Sequence, residues 1–262
     1  HCNKDYRQRM KWNKKDIDPA IVRDLAKRFS CDLITASIFA RRSLTKAQDL
    51  LFYIEEDPRF LRNPFLLPDM EDAVDRVLAA IEEGERVLVF GDRDVDGITS
   101  TVILVQALQD AGLDVRWQLP LGEENYGLSI EAVDNFAKDY GSLIITVDAG
   151  ISNFKEIEYA QSLGIDTLVL DHHNVPEGES AAVAIVNPKR MEKDYPFRDI
   201  AACAIAWKFA NALRFARKSD LYNQDICLLN CMPTNEAWII EAVHLRNLVP
   251  IKLLQEHIVP GM

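Results

Sequence analysis

From residue 85 onward, short apolar runs alternate with amphipathic stretches, and this alternation restricts the fold more than any other feature. The runs are "RVLVFG", "DVRWQLP", "SLIITVD", "DTLVLDH" and "AVAIVNP"; helical patterns lie between and after them at about 97–111, 129–139, 153–163 and 199–214. Runs that are apolar on both faces and separated by helices predict a parallel sheet covered on both sides. The expected class is therefore α/β, a doubly wound and mostly parallel sheet. Before it comes a helical N-terminal lead. Asp18 stands as N-cap before Pro19, and Thr45 with Gln48 forms a capping-box pattern. "NPFLLPDM" (63–70) reads as a linker. Met70, Ala73, Val74, Val77, Leu78 and Ile81 share one helix face, which Gly84 ends. The expected division is a lead and linker over 1–84, an α/β domain over 85–215 and a closing tail over 216–262. In the tail, "DICLLNCMP" suits a strand, and "NEAWIIEAVHLRNLVP" suits either a helix or a hairpin.

Composition limits the functional classes. The chain has 48% hydrophobic and 27% charged residues, as ordinary globular proteins do. No apolar run reaches the ~18–20 residues of a membrane span. The polar start, "HCNKDYRQRMKWNKKDID", has no signal-peptide core. Five scattered cysteines suit reduced thiols, so the expectation is a cytoplasmic protein without a membrane partner. Cys227 and Cys231 read as core thiols, since no second pair stands at zinc spacing. The net charge of −11 argues weakly against nucleic acid unless part of it awaits cations.

The acids fall where strands end. Asp92, Asp94 and Asp96 follow the first strand, Asp148 the third, and Asp171, His172 and His173 the fourth. The carboxyl ends of a parallel sheet share one edge, where ligands bind. Carboxylates with one or two imidazoles suit Mn²⁺ or Mg²⁺, and two such ions ~3.5–4 Å apart can hold a phosphate and activate a water. Three neighbouring aspartates tolerate one another when cations sit among them. Gly97 allows a tight turn, and Thr99 and Ser100 open a helix whose N-terminus favours a phosphate. "DAGIS" repeats this logic, with Ser152 as N-cap. The plainer alternative is that each aspartate only caps a helix, and that the paired histidines are incidental.

These residues resemble a known family. "GDRDVDGITS", "VDAGIS" and "DHH" are similar to the first three motifs of the DHH phosphoesterases. "YGLS" (126–129), "AIVNPK" (184–189) and "ACAIAWKFANAL" (202–213) narrow the resemblance to RecJ-like single-strand-specific exonucleases, over about residues 16–215. The resemblance implies a phosphodiesterase with two Mn²⁺ or Mg²⁺ ions that degrades single-stranded DNA from the 5′ end, with repair or replication proteins as partners. By position it implies Asp94 and Asp148 at one ion, and Asp96, Asp148 and His172 at the other. Asp148 would bridge, His173 would touch the scissile phosphate, Asp171 would orient a histidine, and Asp92 would be a further ligand. There are departures. Phe90 stands where many relatives carry a histidine. Thr234 stands at the fourth-motif aspartate, and an arginine is missing from "PLGEENYGL". Arg93 replaces an aromatic residue and is expected to meet phosphate. The glycine-rich, histidine-ending motif of the family's second domain is not in the sequence, which implies a catalytic portion. Two alternatives stay open: a DHH phosphodiesterase for oligoribonucleotides or cyclic dinucleotides, and a non-catalytic scaffold in a replication or repair assembly.

Overall fold

A computed structural model gives the fold. It describes residues 16–54, 61–120, 122, 126–190 and 195–218, and the strand backbone of 227–233, 238–244 and 250–251. The chain divides into two compact units, residues 1–62 and 63–262.

The first unit contains α1 (Pro19–Arg28), α2 (Leu33–Arg41) and α3 (Ala47–Ile54). Asp18 caps α1, accepting from Ala20 N at 2.8 Å, with Pro19 at the first helical position. The helix α3 begins at Ala47, two residues after Thr45; the side chain of Gln48 lies outside the described residues. Leu25, Ala36, Phe39 and Leu50 form the small core.

The boundary falls at 62, not 84, and packing explains why. In the supposed linker, Pro64–Leu66 forms a short 3-10 turn. Phe65, Leu67 and Met70 are buried in the large core of the second unit. The helix α4 (Met70–Glu83) joins the same core through Ala73, Val74 and Val77. Its Arg76 reaches Glu85 at 2.8 Å and Asp166 at 2.6 Å. A helix whose apolar face and half-buried cation both engage the sheet's unit belongs to the sheet's domain.

The second unit continues with β1 (Arg86–Phe90), α5 (Val95–Asp110), β2 (Asp114–Gln118), α6 (Ile130–Lys138), β3 (Leu143–Val147), α7 (Phe154–Ser162), β4 (Asp166–Leu170), β5 (Ala184–Val186) and α8 (Ala202–Lys218). The five strands pair in parallel in the order β2-β1-β3-β4-β5, as the alternation predicts. Side chains alternate across the sheet. Val87, Val89, Ile145 and Leu168 meet α4, α5 and α8, whereas Leu88, Phe90, Ile144 and Val169 meet α6 and α7. Phe90 is therefore a core residue and supplies no ligand. In the tail, β6 (Cys227–Pro233), β7 (Trp238–His244) and β8 (Pro250–Ile251) form an antiparallel sheet, which decides for the hairpin. The side chains of Cys227 and Cys231 lie outside the described residues, as does Thr234. No helix among the described residues is long and apolar enough to cross a membrane.

Candidate metal centre

In-register pairing brings the strand ends level. Gly91 N donates to Gln118 O, Asp148 N to Leu170 O, and Asp171 N to Val186 O, at 3.0–3.1 Å. Asp92, Asp148 and Asp171 therefore leave the sheet along one edge.

The acids nevertheless take different roles. The helix α5 starts at Val95, earlier than expected, because Asp94 is its N-cap and accepts from Gly97 N at 3.0 Å. Gly97 is required by close approach, since a Cβ there would lie 2.4 Å from the carbonyl oxygen of Asp92. Asp92 is buried, and its Oδ1 has no hydrogen-bond partner. Asp148 is 2% exposed, with Oδ1 likewise unpartnered. Its φ of 57° lies in the left-handed region, which aspartate tolerates better than most residues. Burial raises the Asp148 carboxyl to about 7, with help from the charges of Asp96 and Asp94.

The two histidines are each fixed through Nδ1. In His172, Nδ1 lies 3.1 Å from Ile200 O, where only an N–H can bond, so Nε2 keeps its lone pair in the neutral ring. That Nε2 is 3.1 Å from Asp148 Oδ1. In His173, Nδ1 lies 2.7 Å from Asp171 Oδ1. Asp171 is fully buried and also accepts from the backbone N–H groups of Ile151, His172 and His173. Burial works to raise the Asp171 carboxyl, but the His173 ring and these N–H groups hold it below its ordinary value. The same bond raises His173.

The ligand atoms fall into two groups, each within 4.8 Å: Asp92, Asp94 and Asp148, and Asp148, His172 and His173. Asp148 belongs to both. Asp96 belongs to neither. Its Oδ2 accepts from Ala202 N at 2.9 Å and its Oδ1 from Cys203 N at 2.8 Å, so it binds the start of α8. Burial works to raise its carboxyl, and those N–H groups hold it lower. It approaches His172 Nε2 only to 3.8 Å. Of the residues expected at the two ions, the structure groups Asp94 and Asp92 with Asp148, places His173 with Asp148 and His172, and sets Asp96 apart.

The expected phosphate contacts change too. Ser100 is fully buried and donates to Asp96 O at 2.6 Å, so it cannot meet a substrate. Thr99 is exposed and donates to Val95 O at 2.7 Å. Both hydroxyls satisfy the preceding helix turn, and Gly97 N is occupied by Asp94. Arg93 is exposed and donates to Gly122 O at 2.6 Å. Ser152 is not the cap of α7; Asn153 holds that position without a side-chain cap bond. The amide of Asn153 clamps Leu128 instead, accepting from its N at 3.2 Å and donating to its O at 3.1 Å.

That clamp sets a residue that pattern reading does not assign. Gly127, at φ 84°, lies against Asn153. One residue earlier, the Tyr126 hydroxyl donates to Asp148 O at 2.8 Å and lies 3.2 Å from His173 Nδ1. Burial, then the charges of Asp171 and Asp148, raise the Tyr126 hydroxyl, so it stays a donor. Asn187 adds a second brace, donating to His173 O at 3.0 Å.

A family model described as the DHH family, N-terminal domain, matches residues 86–233. The chain belongs to the DHH family. The single-stranded-DNA-specific exonuclease RecJ of Bacillus subtilis is 32% identical over 206 residues, 78% of this chain and 26% of the relative. That of Escherichia coli is 35% identical over 190 residues, 71% and 32% respectively. The chain thus spans roughly a quarter to a third of these relatives. Among solved structures, exonuclease RecJ bound to manganese is 30% identical with a TM-score of 0.54, over 58% of this chain and 39% of that one. RecJ from Thermus thermophilus in complex with Mn²⁺ is 25% identical with a TM-score of 0.57, over 76% and 27%. The residues that organise this DHH domain, Asp92 to Asp96, Asp148 and Asp171 to His173, all lie within the matched span.

Proposed function

We propose that this chain carries the catalytic part of a metal-dependent phosphodiesterase that releases nucleotides from single-stranded DNA in the 5′-to-3′ direction. The observation that carries the reading is the pair of ligand groups meeting at Asp148. The donor set fits Mn²⁺ or Mg²⁺. Oxygen ligands dominate, imidazole is limited, and two buried carboxylate oxygens stand without a hydrogen-bond donor. Asp92, Asp94 and Asp148 would hold one ion; Asp148 and His172, with Asp96 at the margin, would hold the other. When bound, the ions supply charge neutralisation of the phosphate and a water acidic enough to ionise near neutral pH.

The remaining work belongs to the protein. Asp148 ties the two groups together. Ile200 O fixes the His172 ring so that Nε2 faces Asp148. His173, raised by Asp171, favours its protonated form and directs an N–H toward a phosphate oxygen. Tyr126 holds the Asp148 backbone in its left-handed conformation. Arg93, exposed beside the centre, is a further phosphate contact.

The test is release of nucleotides by the 262-residue chain from end-labelled single-stranded DNA, as Mn²⁺ is titrated. The expected result is Mn²⁺-dependent loss of the 5′ label, abolished by Asp148→Ala. Preferential cleavage of cyclic dinucleotides or short oligoribonucleotides would move the substrate within the same chemistry. Absence of both hydrolysis and calorimetric Mn²⁺ binding would leave the scaffold reading in its place.

A further inference from the structure

Next to the metal centre, toward β5, lies a cavity of about 440 Å³ that the chemistry above does not use. That volume suits a small ligand. Its lining combines apolar residues, Ile151, Phe154 and Pro176, with polar ones, Ser180, Lys189 and Arg190. Asp69 and Glu179 also line it. The two cations differ. Arg190 is paired with Asp69 and donates to Ile185 O at 3.0 Å, so it is a structural strut. Lys189 is half-buried and makes no ion pair among the described residues. Phe154 is half-buried and stands at the first position of α7, whose N-terminus has no side-chain cap. Gly178 stands beside its ring, where a Cβ would lie 3.2 Å from Phe154 Cε2.

The cavity is joined to the metal centre by short connections. Ile151 N donates to Asp171 Oδ2, the carboxylate that holds His173. Lys189 N donates to Asn187 Oδ1 at 2.8 Å, and the same Asn187 amide holds His173 O. An aromatic face, an unpaired ammonium and an uncapped helix start, within one cavity beside a phosphodiester site, match the parts of a nucleotide. A base stacks on an aromatic face whatever its identity, and a phosphate seeks the ammonium and the free N–H groups.

We propose that this cavity binds one deoxynucleoside monophosphate unit, its base on Phe154 and its phosphate on Lys189. Held there, a nucleotide of the strand would be positioned next to His173. The proposal rests on the phosphodiesterase reading for its biological sense, but its test does not require hydrolysis. The probes are dAMP and inorganic phosphate, titrated calorimetrically into the metal-free chain in chelator. The expected result is saturable dAMP binding. Phe154→Leu, which keeps bulk but removes the ring, should weaken dAMP about tenfold and leave phosphate unchanged. Lys189→Gln should weaken both ligands. Circular dichroism and thermal midpoints confirm that each variant is folded, and Phe154→Tyr, which keeps the ring, should bind dAMP like wild type. Absence of dAMP binding, or equal affinity in folded Phe154→Leu, Lys189→Gln and wild type, overturns the subsite. Neither result touches Mn²⁺-dependent hydrolysis, so the two readings fail separately.

Discussion

Asp148 should destabilise the metal-free protein, and the structure sets the size of the effect. The carboxyl is 2% exposed, has an unpartnered oxygen, and is raised from 3.8 to about 7, first by burial and then by Asp96 and Asp94. That displacement corresponds to a penalty of about 4 kcal/mol on the ionised form, an order-of-magnitude figure. Because the folded value is raised, the favourable condition is full below the unfolded value of 3.8 and is lost as pH rises toward about 7. Asp148→Asn removes the charge, keeps the shape and tolerates the left-handed backbone. In urea denaturation with chelator, the variant and wild type should agree near pH 4. Above pH 7 the variant should be the more stable by up to about 4 kcal/mol. Mn²⁺ should narrow the gap, since wild type gains about 2.7 kcal/mol at a hundredfold excess over its dissociation constant and about 4.1 kcal/mol at a thousandfold excess, whereas the variant loses the shared ligand. Parallel stability curves for the two proteins from pH 4 to 8 would refute the reasoning.

Three further outcomes can be measured. Asp171→Asn should cost about 3 kcal/mol in chemical denaturation near neutral pH, because a buried charged acceptor of several N–H groups becomes a neutral amide; the deficit should shrink as acid titrates the lowered carboxyl of the wild type. Gly97→Ala should cost about 3 kcal/mol through overpacking against the Asp92 carbonyl, and a thermal midpoint equal to wild type would contradict the contact. Tyr126→Phe should cost about 1 kcal/mol of stability for the lost bond to Asp148 O and lower kcat more than it raises KM; a change in KM alone would make Tyr126 a substrate contact.

The sheet was legible because side-chain periodicity is a local property. The runs at β1, β3 and β4, apolar on both faces, admit few other folds, although the edge strand β2 is largely exposed, and the acids at 92, 148 and 171 then share an edge by geometry. What stayed hidden depended on distant partners. Whether a carboxylate in "DRDVDG" caps its own helix, faces a cation or binds another helix is not written within those residues. Asp94 does the first, Asp92 faces the cluster, and Asp96 reaches Ala202 and Cys203, more than a hundred residues on. Thr99 and Ser100 read as phosphate donors until the earlier start of α5 turns their hydroxyls to its own carbonyls. The "NPFLLPDM" segment has a linker's prolines but a core's apolar residues, and burial decided in favour of the latter.

The clamp on α8 also bears on synthesis. Asp96 and His172 are made well before Ile200, Ala202 and Cys203, yet both depend on those residues for their orientation. A nascent chain that has emerged only as far as residue 199 presents every described candidate ligand but lacks the carbonyl that selects the His172 tautomer and the amides that restrain Asp96. The centre is therefore completed only after residues 200–203 have emerged and α8 has docked. Until then the emerging chain carries the acids of the candidate centre without their arrangement.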